Sequence, residues 1–153
     1  MREHAVTSAT THLTTNCDEV FHRRSGRRLP MHTTADMVAI VDDDAAMRKS
    51  IERLLRASGY STTAFACAED FLRSTIVDSA VGLVLDIHLG GMSGIELRRR
   101  LLDAGSKIPV VFITAYDDDA THAAALAVGC VDYLQKPFDG DRLSAALERG
   151  MKS

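Results

Sequence analysis

The sequence lacks several features that would have named a function class early. It has no closely spaced cysteine pair. Cys17, Cys67 and Cys130 are an odd number, far apart and outside any CxxC arrangement, so no disulfide framework or zinc site is encoded and a reducing cytoplasm fits best. It has no strong excess of charge: 18 Lys+Arg against 21 Asp+Glu leave a formal net charge of -3, which favours neither nucleic acid nor anionic lipid as a partner. It also has no apolar run of membrane-spanning length, and its first residues, MREHAVTSATTHLTT, lack the apolar stretch of a secretory signal. What remains is 153 residues, enough for one ordinary core.

Two regions differ in character. Residues 1–36 are rich in Thr, Ser, His and Arg without a sustained period, and read as a disordered extension. Its basic run, Arg23 to Arg28, has no interleaved aromatics and reads as solvated chain. Residues 37–153 alternate continuous apolar runs with amphipathic segments. Met37–Val41, Gly82–Leu85 and Pro109–Ile113 have the pattern of strands buried on both faces, and Ser61–Phe65 and Val131–Gln135 are weaker candidates. Met47, Ile51, Leu54 and Leu55 mark a first helix, with Asp44 as its N-cap and Gly59 as its stop. Phe71 and Leu72 lead a second, Leu97 and Leu101 mark a third, and Leu143, Leu147 and Met151 mark the last. The segment Asp117–Val128 has high helix propensity but one large apolar residue, Leu126, and is expected to be the least firmly packed. Five strands alternating with five helices predict an α/β, doubly wound sheet.

In such a sheet the useful crevice lies beyond the carboxyl ends of the strands, where the strand order reverses. Polar residues fall there. Asp42 and Asp43 follow the first strand, Asp86 closes the third inside LVLDIHLGG, Thr114 closes the fourth and Lys136 the fifth. An aspartate among Leu83, Val84, Leu85 and Ile87 is expensive to bury without a partner. Clustered carboxylates repel and raise one another's pKa unless a cation neutralises them. With oxygen donors alone and no His or Cys cluster nearby, a hard ion such as Mg²⁺ is favoured. Lys136 adds a point charge and Thr114 a hydroxyl, so Asp86 is surrounded by groups suited to an anionic phosphoryl group.

Val41-Asp42-Asp43, LVLDIHLGGMSGIEL, Ile113-Thr114-Ala115 and GCVDYLQKPFD together resemble the receiver domain of two-component response regulators over residues 37–150. The wording is most similar to receivers of nitrogen-fixation and nodulation regulators. The resemblance implies a flavodoxin-like five-stranded parallel sheet of order 2-1-3-4-5 and a self-catalysed phosphoacceptor rather than an enzyme with a separate substrate. It further implies that a sensor histidine kinase or phosphotransfer protein phosphorylates Asp86, and that Asp43, Asp86 and the backbone carbonyl of His88 ligate Mg²⁺ while Asp42 acts through a water. Lys136 is then expected to pair with the phosphoryl group, Thr114 to move onto it and Tyr133 to swing inward behind, with a cis bond before Pro137.

The chain departs from the family in places. Leu89-Gly90 stands where Met-Pro is usual, so the loop is expected to be more mobile, and Cys67 replaces a capping Ser with a poorer cap. His88 and Tyr116 occupy variable positions, and His122 reads as a solvated helix-start residue. No LuxR-like DNA-binding domain follows, so a stand-alone regulator is expected, with a receiver fragment of a LuxR-type transcriptional regulator as the alternative. Output is then expected through the face formed by residues 119–128, 131–135 and 143–151, bound by a downstream protein or a second copy. A haloacid-dehalogenase-like phosphohydrolase, with Asp42 as nucleophile in an Asp42-Asp43-Asp44 motif, leaves Asp86 unexplained. A pseudo-receiver that binds partners without phosphorylation is opposed by the intact site positions.

Overall fold

The continuous apolar runs become the centre of a parallel sheet. The structure, a computed structural model, describes residues 36–152, so the expected extension lies outside the described residues except for Asp36. The strands are β1 (Met37–Val41), β2 (Ser61–Phe65), β3 (Gly82–Asp86), β4 (Val110–Thr114) and β5 (Asp132–Gln135). All pair in parallel in the order β2-β1-β3-β4-β5. The helices are α1 (Ala45–Ala57), α2 (Ala68–Arg73), α3 (Ile76–Ser79), α4 (Gly94–Asp103), α5 (Asp119–Ala127) and α6 (Gly140–Lys152).

The strand period sorts side chains onto two cores. Val38, Ile40, Val84, Val111 and Ile113 face α1 and α6, meeting Ile51, Leu55, Leu143 and Leu147. Ala39, Val41, Leu83, Leu85 and Phe112 face the other way, meeting Phe71, Leu97, Leu101 and Ala125. Helices on both faces are the reason the central strands read as unbroken apolar runs.

Among the described residues six helices stand where five were expected. The segment after Cys67 breaks at Ser74, whose hydroxyl donates to the Phe71 carbonyl at 2.8 Å and accepts from the Ile76 N–H at 3.2 Å. A hydroxyl that satisfies the chain locally competes with continued helix, so a single further turn follows as α3. Asp44 caps α1 as expected, accepting from Ala46 and Met47, and Cys67 gives α2 no side-chain cap. In α5 the expected apolar stripe is rotated: Ala125 is wholly buried and Leu126 is 60% exposed. Leu54 of α1 is partly exposed, at 37%. Among the described residues no helix is long and apolar enough to cross a membrane.

Candidate functional site

β1 and β3 are neighbours, yet the chain leaves β1 toward β2 on one side and returns to β3 on the other. Val41 pairs with Leu85, so the next residues along, Asp42 and Asp86, end the two strands abreast at this switch point. Asp42 is fully buried and Asp86 nearly so, while Asp43 is exposed. One carboxylate oxygen from each of the three lies within 4.8 Å of the others. The chain packs closely beneath them. A Cβ on Gly94 would sit 2.3 Å from the Asp86 carbonyl oxygen, so only glycine lets α4 start this near the end of β3.

Lys136 reaches the same place from the far side. Gln135 pairs with Thr114, and the Lys136 N–H donates to the Thr114 carbonyl at 2.7 Å, which fixes the residue just past β5. Its ammonium lies 2.9 Å from Asp42 Oδ2 and 3.3 Å from Asp86 Oδ2. The Lys136–Pro137 peptide is cis. Asp42 Oδ1 accepts from the Asp44 N–H at 2.9 Å, and Asp86 Oδ1 from the His88 N–H at 3.1 Å. Arg48 donates to the Asp42 carbonyl at 2.8 Å. Sequence patterning had no means of finding that contact, because a guanidinium on a backbone carbonyl leaves no paired charge to notice.

Burial, and after it the charge of Asp42, pushes the Asp86 carboxyl up to about 6, against the pull of Lys136 and the His88 N–H. Burial alone would lower the Lys136 ammonium. The hydrogen bond it donates to Asp42 and the charge of Asp86 outweigh it and hold the ammonium above its ordinary value.

Asp42, Asp43, Asp86 and Lys136 are therefore together. Thr114 closes β4 beside them, but its buried hydroxyl is turned to its own loop, donating to the Tyr116 carbonyl at 2.9 Å and accepting from the Tyr116 N–H at 3.0 Å. Tyr133 stacks on His122 with ring centroids 4.3 Å apart and an interplanar angle of 12°, so His122 is more than a solvated residue. The Tyr133 hydroxyl is buried without a hydrogen-bond partner. His88 packs edge-on against Tyr116 at 5.2 Å beside the acidic cluster. In the loop with Leu89-Gly90, Leu89 is buried and the Met92 N–H is held by Glu69 at 3.2 Å.

Comparison with known proteins gives this geometry its family. The response regulator receiver domain matches residues 38–148. This chain belongs to that family. The transcriptional regulatory protein FixJ of Bradyrhizobium diazoefficiens is 37% identical over 120 residues, 78% of this chain and 58% of that protein. Nodulation protein W of the same species is 38% identical over 124 residues, 78% of this chain and 55% of that protein. The chain thus spans little more than half the length of these relatives. The crystal structure of FixJ-N superimposes with a TM-score of 0.70 at 33% identity, covering 78% of this chain and 96% of that one. Receiver domains are regulatory modules of two-component, phosphorylation-based signalling rather than conventional enzymes. The receiver assignment sets the phosphohydrolase reading aside.

The donor set also fits a hard divalent cation. All three side chains offer oxygen, and two are buried with a single ammonium between them. Asp42, Asp43 and Asp86 are the residues whose oxygens lie close enough together to hold such an ion.

Proposed function

We propose that this receiver accepts a phosphoryl group on Asp86 from a sensor histidine kinase or phosphotransfer protein and signals by changing its partner-binding surface. The observation that carries the reading is the convergence of Asp42, Asp43 and Asp86, with Lys136 bound to two of them. An Asp86 oxygen attacks the donor phosphorus, the donor P–N bond breaks and an acyl phosphate forms on the side chain. Bound Mg²⁺ supplies charge neutralisation for the incoming phosphoryl oxygens. Lys136, freed from its hold on the carboxylates, pairs with the phosphoryl group. The Thr114 hydroxyl exchanges its Tyr116 partners for a phosphoryl oxygen, and that exchange frees the backbone leading into α5. Tyr133, bonded through no hydroxyl partner, moves inward at little loss. The face of α5, β5 and α6 then meets a downstream protein or a second copy, in the cytoplasm and without contact to nucleic acid or membrane.

Incubation with Mg²⁺ and acetyl phosphate, followed by mass spectrometry, tests the reading. A single adduct on Asp86 that disappears in Asp86→Asn is expected. An adduct on Asp42, or none at all, overturns it. Whether the receiver acts alone or as part of a LuxR-type regulator is read from the size of the native polypeptide on an immunoblot. A band of 153 residues supports the stand-alone reading.

A further inference from the structure

The two ends of α5 are held by different means. At its N-terminus, Asp118 caps the helix by accepting from the Thr121 N–H at 2.7 Å and the Thr121 hydroxyl at 3.0 Å, both within the helix's own first turn. Residues 115–120 are all exposed. His122 touches β5 through a ring stack on Tyr133, a contact that slides more readily than a hydrogen bond breaks. The C-terminus is tied down. Val128 ends the helix and Gly129, at φ +79°, turns the chain away in the left-handed conformation that glycine adopts without strain. That turn leaves main-chain carbonyls at the negative end of the helix dipole without helical partners. Arg98 of α4 fills the need: its Nε donates to Gly129 O at 3.0 Å and Val128 O at 3.3 Å, and its Nη1 to Ile108 O at 3.1 Å. One half-buried guanidinium thereby joins α4, the end of α5 and the entry to β4. Its partners are three backbone carbonyls, and burial at this site pulls the guanidinium below its ordinary value.

We infer that Arg98 is a positioning residue that anchors the C-terminal end of α5, so that the helix responds to the phosphoryl group as a lever, swinging its Asp118–His122 end about a fixed Val128–Gly129 end. The step from Thr114 to the helix enters at the free end, and the anchor confines the displacement to it. The phosphoryl dependence rests on the proposed function; the anchor itself does not.

Amide hydrogen exchange on the full chain, with and without Mg²⁺ and beryllofluoride, tests this in the wild type, Arg98→Met and Arg98→Lys. In the wild type, beryllofluoride is expected to change exchange at 116–123 and leave the Val128 and Gly129 amides unchanged. Without ligand, Arg98→Met is expected to speed exchange of those two amides about tenfold, the loss of charge-assisted bonds to the helix end. With beryllofluoride the response in this variant then runs through the whole helix, and Arg98→Lys, which keeps the charge and fewer bonds, falls between. A merely structural role lowers thermal stability without moving the point where the response ends. Equal wild-type responses at both ends of α5, or an Arg98→Met pattern identical to wild type, overturn the anchor. Silence in the loops of Asp43 and Asp86 overturns the receiver reading instead, and the ligand-free comparison still decides the anchor.

Discussion

Helices α1 and α5 begin alike and end differently. Each follows a central strand and starts from an aspartate cap just beyond the acidic end of the sheet. In α1, Ile51 and Leu55 are fully buried against the sheet, and Arg48 ties the first turn back to the Asp42 carbonyl. In α5 the one wholly buried helical residue is Ala125, with Val128 sealing the end, and the Leu that could have deepened the contact faces solvent. The apolar area each removes from water scales with these side chains, so α1 is bound to the core more firmly than α5. The proposed function needs one part that stays and one that moves, and the burial of these two helices suits them to divide those tasks.

The sharpest way to break the contrast is to cut the deep seam. Leu55→Ala is expected to destabilise the fold by about 2–5 kcal/mol, the range for truncating a buried leucine, and chemical denaturation measures it. A loss below about 1 kcal/mol would show that α1 is no firmer than α5.

The acidic end gives the next largest effect. An aspartate titrates near 3.8 before folding and Asp86 near 6 within the fold, so the folded state binds the proton more tightly. Without Mg²⁺, stability is therefore fully present at low pH and withdrawn as pH rises between about 4 and 6. Asp86→Asn removes that slope and is expected to stabilise the metal-free protein at neutral pH by on the order of 1–2 kcal/mol, after allowance for solvent screening. Thermal melts across pH check the sign. A variant less stable than wild type at pH 7 would mean that the Lys136 pairing outweighs burial.

How much of this was legible in the sequence depends on where each signal lies. The central strands and the site were legible because a buried parallel strand is apolar throughout, which makes a polar residue at its end conspicuous: Asp42, Asp86 and Thr114 are all of that kind. Lys136 stood out on a different ground, its place before Pro137 and one residue past a strand of the same sheet. Which way α5 faces was not legible. In a helix of Ala120, Ala123, Ala124, Ala125 and Ala127 the apolar period has almost no contrast, so Leu126 set the expected phase and was wrong by one residue. Arg98, Arg48 and the role of His122 were hidden because their partners are backbone carbonyls or a ring far along the chain, and neither leaves a local pattern.

The caps separate global from local stability. Asp44→Ala and Asp118→Ala each remove a side chain that accepts from the first turn, a loss of about 1 kcal/mol in either helix. Because α1 is expected to open only with the whole fold, Asp44→Ala should lower the global midpoint. Asp118→Ala should instead speed hydrogen exchange at residues 119–122 with the midpoint nearly unchanged. Equal midpoint losses would show that α5 is as much a part of the cooperative core as α1.

The smallest expected effect on stability belongs to Leu126. At 60% exposure its side chain forfeits little on truncation, and alanine is the better helix former, so Leu126→Ala is expected to stay within about 0.5 kcal/mol of wild type. Its effect on association is expected to be different in kind. An exposed leucine on the helix proposed to move is an apolar contact offered to whatever the proposed output face meets. With Mg²⁺ and beryllofluoride present, sedimentation measures self-association and titration measures binding to a candidate partner. Leu126→Ala is expected to weaken whichever of these the wild type shows by about fivefold, roughly 1 kcal/mol for a truncated interface leucine, while Leu102→Ala on α4, similarly exposed but away from that face, leaves it unchanged. Equal losses from both variants would mean that the exposed leucines act through general stickiness, and the output face would have to be sought elsewhere.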